Sequence, residues 1–78
     1  MKSVKVYSTS ACPWCTRVKD FLKENNVSFV DVNVGIDKEA AREMVEKSGQ
    51  MGVPVIDIDG MMTIGFDEAR LRELLNLE

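Results

Sequence analysis

Val4-Lys5-Val6-Tyr7-Ser8-Thr9-Ser10-Ala11-Cys12-Pro13-Trp14-Cys15 decides the fold, because here an apolar strand hands over through a short polar loop to a helix that opens on two cysteines. Val4 to Tyr7 reads as a buried strand, and Ser8 to Ala11 as the loop that delivers the chain to Cys12. Proline favours the first position of a helix, where its missing N–H costs nothing, so Pro13 assigns Cys12 to the N-cap. A sulfur placed there is expected to meet the unpaired N–H groups of Trp14 and Cys15 and the positive end of the helix dipole, and both favour thiolate over thiol. Two thiols separated by two residues can close a small disulfide ring, so that one attacks a substrate while the other stands ready to release it. These are the only two cysteines, and the chain has no histidine to serve as an imidazole base.

Outward from this segment, strands and helices alternate. Val18, Phe21 and Leu22 follow Pro13 at the spacing of one helical face, and Asn25-Asn26 ends that helix. Val27 to Val34 is rich in β-branched residues and reads as a second strand. Gly35 marks a turn and Asp37 an N-cap; Ala41, Met44 and Val45 supply the apolar face of a second helix that ends near Ser48-Gly49. Its Lys and Glu residues read as a solvated face. A third strand spans Val53 to Ile58 with Pro54 near its start, Asp59-Gly60 is a two-residue hairpin signal, and Met61 to Ile64 forms a fourth strand. Asp67 caps a last helix with Leu71, Leu74 and Leu75 on one face. Met44, Met51, Met61 and Met62 read as core filler or partner surface.

The order is βαβαββα. The first βαβ crosses over right-handed to make a parallel pair, whereas the Asp59-Gly60 turn makes the last two strands antiparallel. The expected architecture is an α/β four-stranded mixed sheet flanked by three helices. It places the thiols at the C-terminal end of the first strand, where such sheets usually carry their chemistry. Pro54, opening a strand, cannot donate to the ladder, and its peptide bond can be cis or trans. If it is cis and lies beside Cys12, the backbone of Val53 is free to pair with an extended substrate as an edge strand would.

Length and composition set the remaining bounds. The chain of 78 residues is read as one domain, 1–78, whose small core needs every apolar element. A formal charge of −3 without a clustered Lys/Arg face argues against nucleic acid and anionic membrane as main partners. No apolar run approaches the roughly 20 residues of a spanning helix. Met1 to Val6 lacks the apolar stretch of a signal peptide, so a cytoplasmic location is expected, and with it a catalytic or metal-binding use of the cysteines.

The chain resembles the glutaredoxin family of the thioredoxin fold. The resemblance covers nearly its whole length and is carried by Tyr7 to Cys15, by Ser48-Gly49-Gln50-Met51-Gly52-Val53-Pro54, and by Gly65-Phe66-Asp67-Glu68. It implies a cis Pro54, Cys12 as nucleophile and Cys15 as resolving thiol, with Pro13 and Trp14 as the variable middle of the active-site motif. It further implies substrate contacts from Thr9, Val53, Pro54, Gly65, Phe66 and Asp67. No tightly bound cofactor or metal is implied; glutathione or a thioredoxin-reductase-like flavoenzyme recharges the pair.

Departures from the family pattern bear on the donor. Thr9 stands where glutathione-using members usually carry a basic residue, Met51-Gly52 where Arg and Thr are frequent, and Ile64-Gly65 where Gly-Gly is usual. Each lost cation removes charge-assisted hydrogen bonds worth about 1.5 to 3 kcal/mol to a glutathione carboxylate, so weak glutathione affinity is expected. The amides after Gly65, capped by Asp67, still offer an anion site. The Gly65-Phe66 step is more similar to the redoxins that serve ribonucleotide reductase and are recharged by thioredoxin reductase.

The expected activity is reduction of protein disulfides or glutathione mixed disulfides by a monomer. Arg17 and Lys19 assist the Cys12 thiolate if they point toward it. Two alternatives stand beside this reading. One is a dimer that bridges a metal or an iron–sulfur cluster, since tetrahedral zinc needs about four ligands and one chain offers two. The other is an adaptor that docks on a redox partner without turnover.

Overall fold

The structure, a computed structural model, describes residues 3–77. The elements run β1 (Val4–Ser8), α1 (Pro13–Glu24), β2 (Val30–Asn33), α2 (Lys38–Ser48), β3 (Val55–Ile58), β4 (Met61–Ile64) and α3 (Glu68–Leu75). The sheet order is β2-β1-β3-β4. β1 pairs parallel with β2 and antiparallel with β3, and β3 pairs antiparallel with β4, as the alternation and the hairpin signal require.

The two faces of the sheet are covered differently. Val4 and Val6 of β1 and Ile56 and Ile58 of β3 point to one face, where they bury Val18, Phe21 and Leu22 of α1 and Leu71 and Leu74 of α3. Phe21 meets Phe66 edge to face with ring centroids 5.7 Å apart. On the opposite face Tyr7 and Val55 pack against Ala40 and Met44 of α2. Alternation along β1 thus divides its side chains between the two layers, and the central strand is buried on both sides.

Four sequence expectations are corrected. The second strand occupies Val30–Asn33, not Val27 to Val34. The Val27 N–H donates to the carbonyl of Leu22 at 2.9 Å, which keeps that residue in the α1 exit, and Val27 and Phe29 pack at the core margin as loop residues. The third strand begins at Val55, because Val53 and Pro54 precede the ladder. In α2 Met44 is buried as expected, but Ala40 is the second buried residue, and Ala41 and Val45 are only partly covered.

The charged face of α2 is the fourth correction, since it is not simply solvated. Glu43 accepts from the Tyr7 hydroxyl at 2.5 Å and pairs with Lys5 at 3.3 Å and Lys47 at 3.1 Å, while Lys47 reaches Asp57 of β3 at 3.2 Å. Burial, followed by the bond to Glu43 and its charge, pushes the Tyr7 hydroxyl up to about 12. Hydrogen bonds from Tyr7, Lys47 and Lys5 hold the Glu43 carboxyl down at about 2. The same two carboxylates, Glu43 first, raise Lys47 above its ordinary value. A web of five polar side chains thus ties α2 to the two central strands beside the apolar contacts of Ala40 and Met44.

Each helix begins on a side-chain cap. Cys12, Asp37 and Asp67 occupy the N-caps in extended conformation and accept from the backbone N–H groups of Cys15, Ala40 and Arg70 respectively. Among the described residues no helix is long and apolar enough to cross a membrane.

Candidate active site: a dithiol at a helix start

Two local facts of sequence place the sulfur atoms. The loop from Thr9 to Ala11 leaves the end of β1, and Pro13 at the first helical position starts α1 directly after Cys12. Cys12 has φ −119° and ψ 104°, and its Sγ accepts the Cys15 N–H at 3.1 Å. The N–H of Trp14, the other donor expected from the sequence, is not engaged by this sulfur. Cys12 and Cys15 form a disulfide, with their Cα atoms 5.2 Å apart.

The two sulfur-bearing residues differ in access. Cys15 is fully buried, whereas Cys12 is partly exposed. The Cys12 carbonyl accepts from the Thr16 N–H at 3.2 Å, the first closed turn of α1. Pro13 and Trp14 stand outside, Trp14 with 55% of its surface exposed. The guanidinium of Arg17 lies 4.9 Å from the centroid of the Trp14 ring, a cation–π contact that positions the indole. Lys19 turns instead to β2, pairing with Asp31 at 3.1 Å, and Asp31 in turn accepts from the buried Ser8 hydroxyl at 2.9 Å. Arg17 and Lys19 therefore each have a partner other than the Cys12 sulfur.

Across a hollow that it shares with Trp14, the Val53–Pro54 bond is cis. Pro54 is buried and its carbonyl accepts the Gly65 N–H at 2.9 Å, which joins the loop before β3 to the loop after β4. Gly65 has φ +75°, a left-handed conformation in which a side chain is strained, and this turn directs Phe66 back toward α1. Trp14, Val53, Pro54, Gly65 and Phe66 line one concavity of about 230 Å³. Neither the N–H nor the C=O of Val53 is hydrogen-bonded among the described residues.

Five of the residues singled out in the sequence are thus brought together around one hollow, with Trp14 of the dithiol motif as one wall. Thr9 and Asp67 are not among its walls. Thr9 is partly buried beside Gly35, on the β2 side of the dithiol, and Asp67 uses a carboxylate oxygen to cap α3 through the Arg70 N–H at 3.1 Å. Sequence reasoning missed the Arg17 contact with Trp14, although their i, i+3 spacing on α1 is the signal that would have shown it. Among the described residues no group of three or more His, Cys, Asp or Glu side chains is gathered in a way that could hold a metal ion.

A mixed sheet of this order, a cis proline, and a cysteine pair at a helix start together define a thioredoxin-like dithiol protein. Residues 4–62 match the family model described as Glutaredoxin. The chain is 49% identical over 72 residues to an uncharacterized glutaredoxin-like 8.6 kDa protein in the rubredoxin operon of Clostridium pasteurianum, covering 92% of this chain and 96% of that one. It is 34% identical over 68 residues to glutaredoxin 3 of Escherichia coli K12, covering 87% and 82%. Among solved structures, a mutant of the thioredoxin-like protein BC3987 superposes with a TM-score of 0.93 at 37% identity over all of both chains. A glutaredoxin from Archaeoglobus fulgidus gives a TM-score of 0.87 at 30% identity, over 96% of this chain and 87% of that one. The chain belongs to the glutaredoxin family, and its Cys12–Cys15 pair supports a thiol–disulfide redox role.

Proposed function

We propose that the protein is a dithiol reductase of protein disulfides, with Cys12 as nucleophile and Cys15 as resolving thiol. The observation that carries this reading is the asymmetry of the pair. Cys12 is a partly exposed residue whose sulfur accepts a backbone N–H at the helix start, an arrangement that favours thiolate, while Cys15 is fully buried. In the reduced protein Cys12 thiolate attacks one sulfur of the substrate disulfide, forming a mixed disulfide and expelling the other sulfur as thiolate. Cys15, once deprotonated, then attacks Cys12 Sγ, closing the intramolecular bond and releasing the second substrate thiolate. Two electrons pass from the protein to the substrate, and the two protons lost by Cys12 and Cys15 balance the two substrate thiols formed.

Trp14, Val53, Pro54, Gly65 and Phe66 supply the substrate contacts in this reading, with the unpaired Val53 backbone accepting an extended segment as an added strand. Thr9 and Asp67 border the site. Thr9 and Met51-Gly52 bring no cation to a glutathione carboxylate, which favours a flavoenzyme of the thioredoxin-reductase kind over glutathione as the donor.

Substitution of each cysteine tests the roles. Cys12→Ser is expected to abolish every exchange reaction, whereas Cys15→Ser stops reduction of protein disulfides and spares a monothiol reaction with glutathione mixed disulfides. The assignment fails if the two variants behave alike toward every substrate. Parallel assays with glutathione plus its reductase and with thioredoxin reductase plus NADPH identify the donor, with faster turnover expected in the second.

A further inference from the structure

Phe66, a wall of the hollow beside Trp14, lines more than that one concavity. That ring is also a wall of a second concavity, of about 280 Å³, which runs onto the outer surface of α1 and is lined further by Arg17, Asp20, Phe21, Glu24 and Glu68. The two hollows adjoin at Phe66, which is a wall of both, and make a track with an apolar part beside Trp14 and a charged part on α1.

The charges of the outer part are unevenly committed. Arg17 is drawn onto the Trp14 ring, and Glu68 is paired with Arg72 at 3.0 Å. Asp20 and Glu24, one helical turn apart on α1, have no ion-pair partner among the described residues. Of the three carboxylates on this hollow, Glu68 is offset by Arg72, whose guanidinium also lies 5.2 Å from the centroid of the Phe21 ring, and Arg17 keeps its charge on the Trp14 ring, so Asp20 and Glu24 are the acidic groups left for an occupant. An occupant with a positive charge gains there, and one with a negative charge is repelled.

On the reading given above, that the dithiol reduces protein disulfides, we infer that the track selects its substrate. It takes an extended cysteine-bearing segment that lies along Val53 and Phe66 and places a Lys or Arg, a few residues from the cysteine, against Asp20 and Glu24. An extended strand advances about 3.3 Å per residue, so a residue a short way along the segment reaches the outer hollow while the cysteine stays at Cys12. The chemistry that recognises the partner is then apolar near the reacting sulfur and basic beyond it.

Single-turnover reduction of short peptides tests this. Each peptide carries one disulfide and differs only in having Lys or Glu at one flanking position, scanned along both flanks; a small uncharged disulfide, hydroxyethyl disulfide, serves as the third substrate. Reduced protein is mixed with each, and free thiols are alkylated and counted after acid quenching. At its best position Lys is expected to speed the reaction over Glu by roughly threefold to tenfold at low salt, the range of one or two solvent-exposed charge pairs. Asp20→Asn combined with Glu24→Gln is expected to erase that preference and leave the uncharged disulfide unaffected. Equal rates for the Lys and Glu peptides at every position, or a preference that survives the double substitution, overturn the assignment of the track while the dithiol reading stands. No reduction of the peptides or of the uncharged disulfide by a protein with both thiols free overturns the dithiol reading, and this inference with it.

Discussion

At the residue scale Tyr7 is a clear case of environment acting on a single group. It is the one tyrosine of the chain, it is fully buried, and its hydroxyl is pushed up to about 12 by burial first and then by Glu43. Because the folded value lies above the ordinary 10.0, the stability this group contributes is complete below pH 10 and is lost as pH rises through about 12. Phenolate absorbance should therefore show a midpoint near 12 in the folded protein and near 10.0 in denaturant. Tyr7→Phe should remove this alkaline loss, and it should cost about 1 kcal/mol at neutral pH, the net worth of one hydrogen bond whose acceptor stays open to water. A folded protein whose tyrosine titrates near 10 contradicts the account. None of this was legible in sequence, where Tyr7 is one more apolar strand residue and its partner Glu43 lies 36 positions away.

The scale of elements is where local sequence rules were most and least informative. The caps were readable, since Asp37 and Asp67 have the residue type and position that helix starts require, and Pro13 dated the start of α1. Strand boundaries were less so. Val27, Ser28 and Phe29 have strand composition, yet the exit of α1 takes the Val27 N–H, and the β1 edge continues only from Val30 onward. In α2 Ala40 rather than Ala41 joins Met44 in the core, and the helix is held in addition by Glu43 and Lys47, an ionic attachment that leaves no 3.6-residue apolar pattern to read. A paired substitution separates capping from any added role of Asp67. Asp37→Ala and Asp67→Ala should each cost about 1 kcal/mol of stability, measured by denaturant unfolding, because each removes one N-cap acceptor. Only Asp67→Ala should also slow turnover if the amides after Gly65 hold substrate. Equal turnover in the two variants confines Asp67 to its capping bond.

For the molecule as a whole, the division of labour between the two faces of the sheet sets the response to pH and salt. The face under α1 and α3 is an apolar core, while the face under α2 combines a small apolar cluster with the Lys5, Tyr7, Glu43, Lys47 and Asp57 web. The Glu43 carboxyl, held at about 2 against an ordinary 4.5, contributes stability that is intact above pH 4.5 and is lost as pH falls through about 2. Thermal unfolding of the native protein should therefore become steadily easier between pH 4.5 and pH 2, and Glu43→Gln should flatten that slope while lowering the melting temperature at pH 7. An unchanged slope in the variant contradicts the role given to the web. The element order, the mixed sheet and the place of the cysteines were all legible, because turn chemistry and helix-start signals are local. The track past Phe66 was not, since it joins residues of α1, the Pro54 loop and the Gly65 turn that only the folded chain brings side by side.

Trp14 is the sole indole of the chain, and it stands between the two cysteines with more than half its surface in solvent. Fluorescence excited at the red edge consequently originates at one spot, within two residues of both cysteines. The protein thus carries an intrinsic optical reporter, and closing or opening of the sulfur–sulfur bond can be followed in real time without attaching a dye.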